Sequence, residues 1–215
     1  MSAENHTGSG PLAGLRVLDI ATVLAGPFAA TLLADYGADV LKLELPGKGD
    51  GMRAFPPFKD GKSIWWKAAQ RGKRFGTLDL RRPQGLALFK QLLPQFDVLI
   101  ENFRPGTLDR WGLGKEVLWA LKPNLVILRV TGFGQTGPWA GRPGFDLMAQ
   151  AMSGIMSVTG HPDGPPAKAG VPVADIGCAL FATYGMLSAY IGAKATGRGQ
   201  YVDASLFDSC LLYTS

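Results

Sequence analysis

Asp175 is the carboxylate best placed for chemistry, because it lies at the predicted start of the most apolar helix of the chain, directly after residues 170–174. An aspartate at such a position can cap the helix by accepting hydrogen bonds from the free N–H groups of the first turn. The helix dipole also favours an ionised carboxylate there, which suits an anionic nucleophile beside an apolar wall. The residue types alone leave both roles open.

Basic residues alternate with aromatic residues in the first half of the chain. Such a mixture suits a ligand that has both phosphates and an aromatic ring, as a nucleotide-bearing cofactor does. The alternative is an ordinary solvated surface. The basic residues are Arg71, Lys73, Arg74, Arg81, Arg82, Arg104 and Arg110, and the aromatic ones are Trp65, Trp66, Phe75 and Phe103.

Three further kinds of site are disfavoured by their sequence context. Residues 132–137 have the G-x-G-x-x-G spacing of a dinucleotide-binding loop, but Pro138 and a Gly/Pro-rich stretch follow where a helix is required. We therefore predict a flexible loop. The two histidines, His6 and His161, have no metal-ligand partner at a useful spacing, so we expect neither a metal site nor a Ser-His-Asp triad.

The elements that must position these residues alternate between strand and helix up to about residue 140. This alternation predicts strand-helix-strand units and hence an α/β fold: a Rossmann-like open parallel sheet with helices on both faces. A helical segment follows, with helices at 145–158 and from Asp175, and a last strand at 200–204. The earlier strands are predicted at residues 15–20, 39–44, 98–100 and 126–131, and the earlier helices at 28–36, 83–93 and 115–121.

Composition and charge indicate a globular chain of 215 residues, 47% hydrophobic and 18% charged, with enough apolar residues for a real core. The 22 Lys and Arg against 17 Asp and Glu give a net charge of +5, with the cations scattered or paired. This pattern favours small anionic ligands over a nucleic-acid track. We expect no nucleic-acid partner.

Cysteine usage and hydropathy indicate a cytoplasmic protein. Cys178 and Cys210 cannot form a disulfide framework, and the N-terminus has no basic region followed by an apolar one. Residues 176–193 lack charge over 18 positions, which is just long enough for a membrane span. They include three glycines and several hydroxyl groups, so we expect a buried helix and no membrane partner.

The last six residues can be encoded by a DNA sequence that also occurs in sequencing adapters. The codons TGT-CTC-TTA-TAC-ACA-TCT encode residues 210–215 and also spell a transposon adapter end used in sequencing libraries. We interpret these residues as a sequencing artefact on a truncated gene and set them aside. The alternative is an ordinary continuation of the helix.

Eight short motifs, in order and without large gaps over residues 11–209, resemble the class III CoA-transferases. This is the family of formyl-CoA transferase and carnitine CoA-transferase, with α-methylacyl-CoA racemase as a relative. The motifs are PLAGLRVLD at 11–19, AGP at 25–27, LADYGADVLKLE at 33–44, GD at 49–50, ENFRPG at 101–106, LDRWG at 108–112, TGFGQTGP at 131–138 and TGRGQ at 196–200.

The resemblance implies a chain about twice this long, whose two subunits interlock as rings in a homodimer. It divides the chain into a disordered tail (1–10), a Rossmann-like CoA-binding domain (11–140) and a helical segment that continues the large domain (141–209). The smaller domain would belong to a missing second half.

The resemblance also implies the activity and its residues. Asp175 falls at the family's catalytic aspartate, which moves CoA from an acyl-CoA thioester to a free carboxylic acid through an aspartyl-CoA intermediate. CoA enters as the substrate thioester, and no metal or redox cofactor is implied. Contacts to CoA are implied in and around the loops, at Leu24, Ala25, Leu78, Arg81, Asn102, Phe103, Arg104, Arg110 and Asp146.

Departures from the family pattern bear on the substrate. Formyl-CoA transferase has glutamine at the position of Leu24 and arginine at the position of Leu45, so we expect an acceptor larger or less polar than oxalate. The racemase branch has histidine at the position of Phe145. Phenylalanine cannot carry a proton, so transfer is favoured over racemisation of a 2-methylacyl-CoA. An inactive CoA-binding fragment is the third possibility.

Overall fold

The computed structural model describes residues 9–211. Within this range, strands and helices alternate much as the sequence predicts. The strands are β1 (Arg16–Asp19), β2 (Asp39–Glu44), β3 (Phe58–Lys59), β4 (Lys62–Ser63), β5 (Arg74–Thr77), β6 (Val98–Glu101), β7 (Val126–Thr131) and β8 (Tyr201–Ser205). The helices are α1 (Ala25–Asp35), α2 (Ile64–Ala69), α3 (Pro83–Leu92), α4 (Thr107–Arg110), α5 (Lys115–Leu121), α6 (Asp146–Met152), α7 (Val173–Thr196) and α8 (Leu206–Leu211).

Six of the described strands form one parallel sheet in the order β5-β2-β1-β6-β7-β8. The chain runs outward from β1 in one direction through β2 and β5, and in the other through β6, β7 and β8. The strand order therefore reverses beside β1, and ligands of such sheets bind at the carboxyl ends next to the reversal. The predicted Rossmann-like α/β class is confirmed. The short strands β3 and β4 form a separate antiparallel pair.

The core lies on both faces of the sheet, as a parallel sheet requires. Alternate residues of one strand serve opposite layers, since side chains in a strand point to the two faces in turn. On β6, Val98 and Ile100 pack towards α1 and α7, whereas Leu99 packs with Phe89 of α3 and Leu118 of α5. The sheet edge that carries the loops is thereby fixed between two helical layers.

The last strand ties the predicted helical segment 141–209 to this sheet. Residues of β8 pair with β7 from Ile127↔Tyr201 to Thr131↔Ser205. Helix α7 packs on α1, β7, β8 and α8. In the described part of the chain, α7 is the one helix long and apolar enough to cross a membrane, a test that the core helix of a soluble protein also passes.

Several local expectations differ from the structure. The helix predicted at 145–158 is two pieces, because α6 ends at Met152 and Gly154 takes a left-handed φ of 87° before the 3-10 turn Ile155–Val158. Helix α7 begins at Val173, two residues before Asp175. The sequence analysis did not identify the edge strand β5, the pair β3 and β4, or helices α2 and α4, which are all short.

The two chain ends lie only partly within the described residues. Of the predicted disordered tail, residues 1–8 are outside them. Of the six residues interpreted as an artefact, residues 212–215 are outside, whereas Cys210 belongs to α8 and is buried in the core that α7 shares with the sheet.

Candidate functional site

Two adjacent cavities lie along the carboxyl edge of the sheet, and Phe103 lines both of them. The apolar cavity, of about 320 Å³, is bounded by the loops that follow β1, β2 and β5, including Leu78 and Arg81. The Asp175 cavity, of about 310 Å³, is bounded by the loops after β1, β6 and β7 and by the start of α7. Phe103 thus joins two compartments of similar size at the point where the strand order reverses.

The structure brings most of the sequence-predicted residues to these cavities. Leu24, Ala25, Asn102, Phe103, Arg104 and Asp175 line the Asp175 cavity, and Leu78, Arg81 and Phe103 line the apolar cavity. The two remaining residues stand apart. Arg110 is exposed on α4 and donates a hydrogen bond to Thr107 Oγ1 at 2.9 Å. Asp146 is buried behind the start of α7.

Asp175 lies in the first turn of α7, but the capping carboxylate of that helix is Asp146. The Oδ1 atom of Asp146 accepts hydrogen bonds from the N–H groups of Ala174 at 2.8 Å and Asp175 at 3.3 Å. Gln150 donates to the other oxygen of Asp146 at 2.6 Å. The carboxyl group of Asp175 is therefore not used as the cap, and it is left facing the cavity.

The electrostatic environment of Asp175 differs from the sequence expectation of a carboxylate held ionised by the helix. Burial, together with the neighbouring charge of Asp146, raises the pKa of Asp175 to about 7. A hydrogen bond from the backbone N–H of Ala25 acts in the opposite direction and lowers that pKa. Near neutral pH the group therefore exists in both protonation states, as suits a carboxyl group poised for reaction.

The Ala25 N–H belongs to a tightly held segment, residues 21–25, which we call the strap. The amide of Asn102 holds Thr22 at both backbone polar groups: Oδ1 accepts from its N–H at 2.8 Å and Nδ2 donates to its carbonyl at 2.7 Å. Val23 has a φ of 66°, a left-handed conformation that is strongly disfavoured for a β-branched residue. Leu24 and Ala25 are buried. The strap is thus an ordered wall of the Asp175 cavity.

A buried charge network lies beneath the strap. Lys42 is fully buried, with its Nζ 3.2 Å from Asp50 Oδ2, 3.7 Å from Asp19 Oδ2 and 2.6 Å from the carbonyl of Ala21. Lys73 Nζ lies 2.8 Å from the same Asp19 oxygen. Burial lowers the pKa of Lys73 to about 8, although Asp19 opposes this shift.

Asp19, Lys42 and Asp50 are residues that the sequence analysis missed as part of the site. The available signal was Lys42, a charged residue in the middle of the apolar strand β2. Charged groups are rarely buried unless paired, so an interior lysine requires carboxylates from neighbouring elements. Its partners could not be named from spacing alone, because they come from β1 and from the loop after β2.

The basic residues divide into two groups. Arg71 pairs with Asp35, Arg74 pairs with Asp39 at 2.7 Å, and Lys73 is buried, so these three do not line either cavity. Arg81 lies at the apolar cavity, where two guanidinium nitrogens approach Asp79 at 2.8 and 2.9 Å. Through these bonds Arg81 lowers the pKa of Asp79 to about 2.

Two loops meet at a close backbone contact beside the cavity. Gly132 opens the glycine-rich stretch 132–137, which is an irregular segment with bends, and turns rather than a helix follow at 138–141. A Cβ atom at position 132 would stand 2.5 Å from the Cα atom of Gly144. The first glycine therefore permits loop packing next to Asp175. Within residues 9–211, no group of three or more His, Cys, Asp or Glu side chains is arranged to hold a metal ion.

Comparison with known proteins gives matches over nearly the whole chain. The model of CoA-transferase family III matches residues 12–215. Succinyl-CoA–D-citramalate CoA-transferase of Chloroflexus aurantiacus is 48% identical over 202 residues, which are 94% of this chain and 50% of that protein. Succinate–glutarate CoA-transferase of Agrobacterium fabrum is 47% identical over 205 residues, 92% of this chain and 51% of that protein.

Among solved structures, a CAIB/BAIF family protein from Brucella suis superposes with a TM-score of 0.91 at 43% identity. The match covers 96% of this chain and 56% of that one. The chain spans about half the length of the curated relatives it matches.

Proposed function

Because the chain belongs to CoA-transferase family III, we propose that it carries the CoA-binding part and the nucleophile of an acyl-CoA:carboxylate CoA-transferase. The observation that carries this proposal is the position of Asp175 in one of two cavities joined by Phe103. A ligand that has an aromatic ring at one end and a reactive acyl group at the other can extend from the apolar cavity to the Asp175 carboxyl group.

In the proposed complex, CoA lies along the carboxyl edge of the sheet. Leu78 and Phe103 offer apolar surface to the nucleotide end, and Arg81 and Arg104 offer charge to its phosphates from the cavity walls. Arg110 lies outside both linings, exposed on α4, and we propose that it reaches the phosphates from there. Leu24 and Ala25 line the thioester end together with Asp175. We keep Asn102 and Asp146 among the proposed contacts, although their side chains also hold the strap and the start of α7.

The proposed reaction uses Asp175 as a covalent carrier of activated acyl groups. Its carboxylate attacks the thioester carbonyl, the C–S bond breaks, and an aspartyl anhydride and CoA thiolate form. The thiolate attacks the Asp175 carbonyl carbon, giving aspartyl-CoA thioester and the free donor carboxylate. The acceptor carboxylate then attacks that thioester, and the released thiolate takes the acceptor acyl group from the new anhydride. Each step exchanges one acyl bond for another, without net oxidation or hydrolysis.

The environment of Asp175 suits both halves of this cycle. The attacking form is the carboxylate, and the N–H of Ala25 stabilises it. Asp175 is partly buried, and the apolar side chains beside it limit hydration of the carboxylate, the anhydride and the thioester. Water exclusion matters because hydrolysis of either intermediate would waste the activated acyl group.

The walls of the Asp175 cavity favour an acceptor larger than oxalate. Leu24 and Phe145 give it apolar surface, and Arg142 stands at the same cavity with a cation. Two similar proteins are named for succinyl-CoA with citramalate and for succinate with glutarate. We propose succinyl-CoA as donor and a four- or five-carbon dicarboxylic acid as acceptor.

Racemisation of a 2-methylacyl-CoA is the alternative activity. It requires an acid and a base on opposite sides of the α-carbon. Phe145 lies at the Asp175 cavity, at the position where the racemase branch supplies histidine, and it has no proton to transfer. Exchange of the α-proton of a 2-methylacyl-CoA with deuterated water, in the absence of an acceptor acid, would favour racemisation instead.

We propose that the full-length protein is a cytoplasmic homodimer. Support comes from α7, whose outward residues Leu180, Phe181, Tyr184 and Ile191 are 53–76% exposed. Apolar surface of this extent favours burial by a partner surface. If the 215-residue chain alone proves inactive while the full-length protein is active, the fragment is a CoA-binding half.

The experiment that tests the function measures CoA transfer from succinyl-CoA to glutarate by the full-length protein. Asp175→Ala should lower kcat by about 10³-fold or more, because the covalent route needs the carboxylate. Asp163→Ala, which removes an exposed carboxylate from the 160–172 connection, is the matched control and should retain activity. Turnover by Asp175→Ala at the unaltered rate would exclude this role.

A further inference from the structure

We propose that Asp50 is a positioning residue for catalysis: its carboxylate holds Val23 in a left-handed backbone conformation and so directs the N–H of Ala25 to the carboxyl group of Asp175. This proposal rests on the proposed function. Asp50 lies on the loop that follows β2, and the resemblance did not place it among the contacts to CoA.

Val23 needs an external restraint because its conformation is unfavourable on its own. At a φ of 66°, the branched side chain of valine crowds the neighbouring backbone. Strained residues of this kind persist only where the surrounding structure over-determines them, and they concentrate at functional sites. Val23 directly precedes Leu24 and Ala25, which line the Asp175 cavity.

Asp50 supplies the restraint. Both its carboxylate oxygens accept the N–H of Val23, at 3.1 and 3.2 Å. One of them also accepts the N–H of Met52 at 2.9 Å. Asp50 is 2% exposed, so its hydrogen bonds to Val23 are shielded from competition with water.

The position of Asp50 is itself fixed from two sides. Lys42 Nζ lies 3.2 Å from Asp50 Oδ2, and the N–H of Asp50 donates to Glu44 Oε2 at 2.9 Å. Lys42 also donates to the carbonyl of Ala21 at 2.6 Å. The network therefore holds the strap at Ala21 and at Val23, on either side of the Thr22 contact with Asn102.

The consequence reaches Asp175 through Ala25. With Val23 left-handed, the strap turns so that the Ala25 N–H faces the Asp175 carboxyl group and stabilises its ionised form. If Val23 relaxed to an ordinary φ, this donor would be redirected. The titratable and charged groups around Asp175 are Asp146 from α6, Cys178 from α7, Cys210 from α8, and Arg104 and Arg142 at the margin of the cavity.

The test compares Asp50→Ala with Val23→Gly/Asp50→Ala in the full-length protein. Glycine adopts a positive φ without strain, so position 23 no longer needs the restraint that Asp50 supplies. Asp39→Ala removes a carboxylate at the opposite end of β2 and is the matched control. The readouts are kcat and KM for succinyl-CoA and an infrared titration of the Asp175 carboxyl group, taken as the difference from each variant's Asp175→Asn counterpart.

In Asp50→Ala we expect the pKa of Asp175 to rise by about one unit, and kcat at pH 7 to fall about fivefold or more while KM changes little. Loss of the Asp50 carboxylate leaves the positive charge of Lys42 less compensated, and this change alone would lower the pKa of Asp175. A rise in that pKa therefore reports loss of the Ala25 contact. The double variant should recover both kcat and pKa. The infrared titration needs no turnover, so it reports on Asp50 even if the transferase assay of the unaltered protein is negative.

Three results would overturn the proposal. One is an unaltered kcat and Asp175 pKa in Asp50→Ala. Another is a folded Val23→Gly/Asp50→Ala protein that remains as impaired as the single variant. The third is failure of both variants to fold while Asp39→Ala folds, because the role of Asp50 would then extend beyond holding Val23.

Discussion

The Oδ1 atom of Asp146 accepts a hydrogen bond from the backbone N–H of Asp175 at 3.3 Å, and the negative charge of Asp146 raises the pKa of Asp175. The carboxylate of Asp146 therefore stabilises the start of α7 and also disfavours ionisation of Asp175. The two effects can be separated, because an amide at position 146 keeps an acceptor oxygen and removes the charge.

Asp146→Asn should lower the pKa of Asp175 below about 7, since the repulsion is removed while Oδ1 still accepts the N–H groups of the helix start. The bond from Gln150 to the second oxygen is lost in this variant. The acid limb of the kcat/KM profile should move to lower pH. Asp146→Ala also removes the charge, and in addition it should lower the free energy of unfolding by about 1–2 kcal/mol, because the cap is lost. Chemical denaturation and a pH–rate profile distinguish the variants. An acid limb that stays in place in Asp146→Asn would contradict this account.

The pH dependence of stability follows from the raised pKa of Asp175. In the folded state the pKa of Asp175 is about 7, whereas the ordinary pKa of an aspartate, as in the unfolded chain, is 3.8. The contribution of this group to folding is therefore most favourable below about pH 4 and is lost as the pH rises through 7. Asp175→Asn removes the penalty, so at pH 8 it should raise Tm relative to the unaltered protein, with little change at pH 4. An equal shift at both pH values would show that ionisation is not the cause.

The buried lysine Lys42 should be essential for stability. Lys42→Met leaves Asp50 without its ammonium partner and weakens the pairing of Asp19, and breaking such a buried pair costs about 3–5 kcal/mol. Lys62→Met, at an exposed position of β4, is the control and should change the free energy of unfolding by less than about 0.5 kcal/mol. Urea denaturation measures both. A loss for Lys42→Met no larger than the control's would exclude a structural network.

The sequence was most informative where hydrophobic patterns repeat over several residues. The buried strands β6 and β7 and the helix α7 were predicted within a few residues, because each contains consecutive apolar residues with clear ends. The edge strand β5 was not recognised, since four partly exposed residues that include Gly76 carry no alternation. The break at Gly154 was missed because the apolar pattern continues through it.

The candidate site was predictable only where the family resemblance implied a role for a residue. Asp175, Leu24 and residues 102–104, which the resemblance implied as site residues, line one cavity. Their contact with CoA stays a prediction. Two other contacts are hydrogen bonds between a carboxylate and a backbone N–H 27–29 positions away in the sequence: Asp146 with the start of α7, and Asp50 with Val23. No spacing rule encodes such contacts, and the positive φ of Val23 runs against the residue's own preference.

Leu24 should control acceptor choice. Leu24→Gln places an amide in the wall of the Asp175 cavity, where formyl-CoA transferase has glutamine, and should raise the ratio of kcat/KM for oxalate to that for glutarate by about tenfold. Leu88→Gln, on the exposed face of α3, is the control. Competition between the two acids for one CoA donor measures the ratio. An unchanged ratio in a folded Leu24→Gln protein would remove Leu24 from substrate selection.

Arg110 should contribute to CoA affinity and little to stability. It is exposed and bonds within α4 to Thr107, a contact worth under about 1 kcal/mol, whereas a bond to phosphate is worth about 1.5–3 kcal/mol. Arg110→Ala should weaken CoA binding about tenfold or more in calorimetry and leave Tm nearly unchanged. Arg198→Ala is the exposed control. A lowered Tm with unaltered affinity would make Arg110 structural.

The most direct measurement is chemical capture of the covalent intermediate on Asp175. The full-length protein is incubated with succinyl-CoA, treated with hydroxylamine and digested, and the peptides are sequenced by mass spectrometry. The account predicts a hydroxamate on the side chain of Asp175, formed only when acyl-CoA is present, because an aspartyl anhydride or thioester reacts with this nucleophile. Continued CoA transfer with Asp175 unmodified, or a hydroxamate on a different residue, would contradict the central claim.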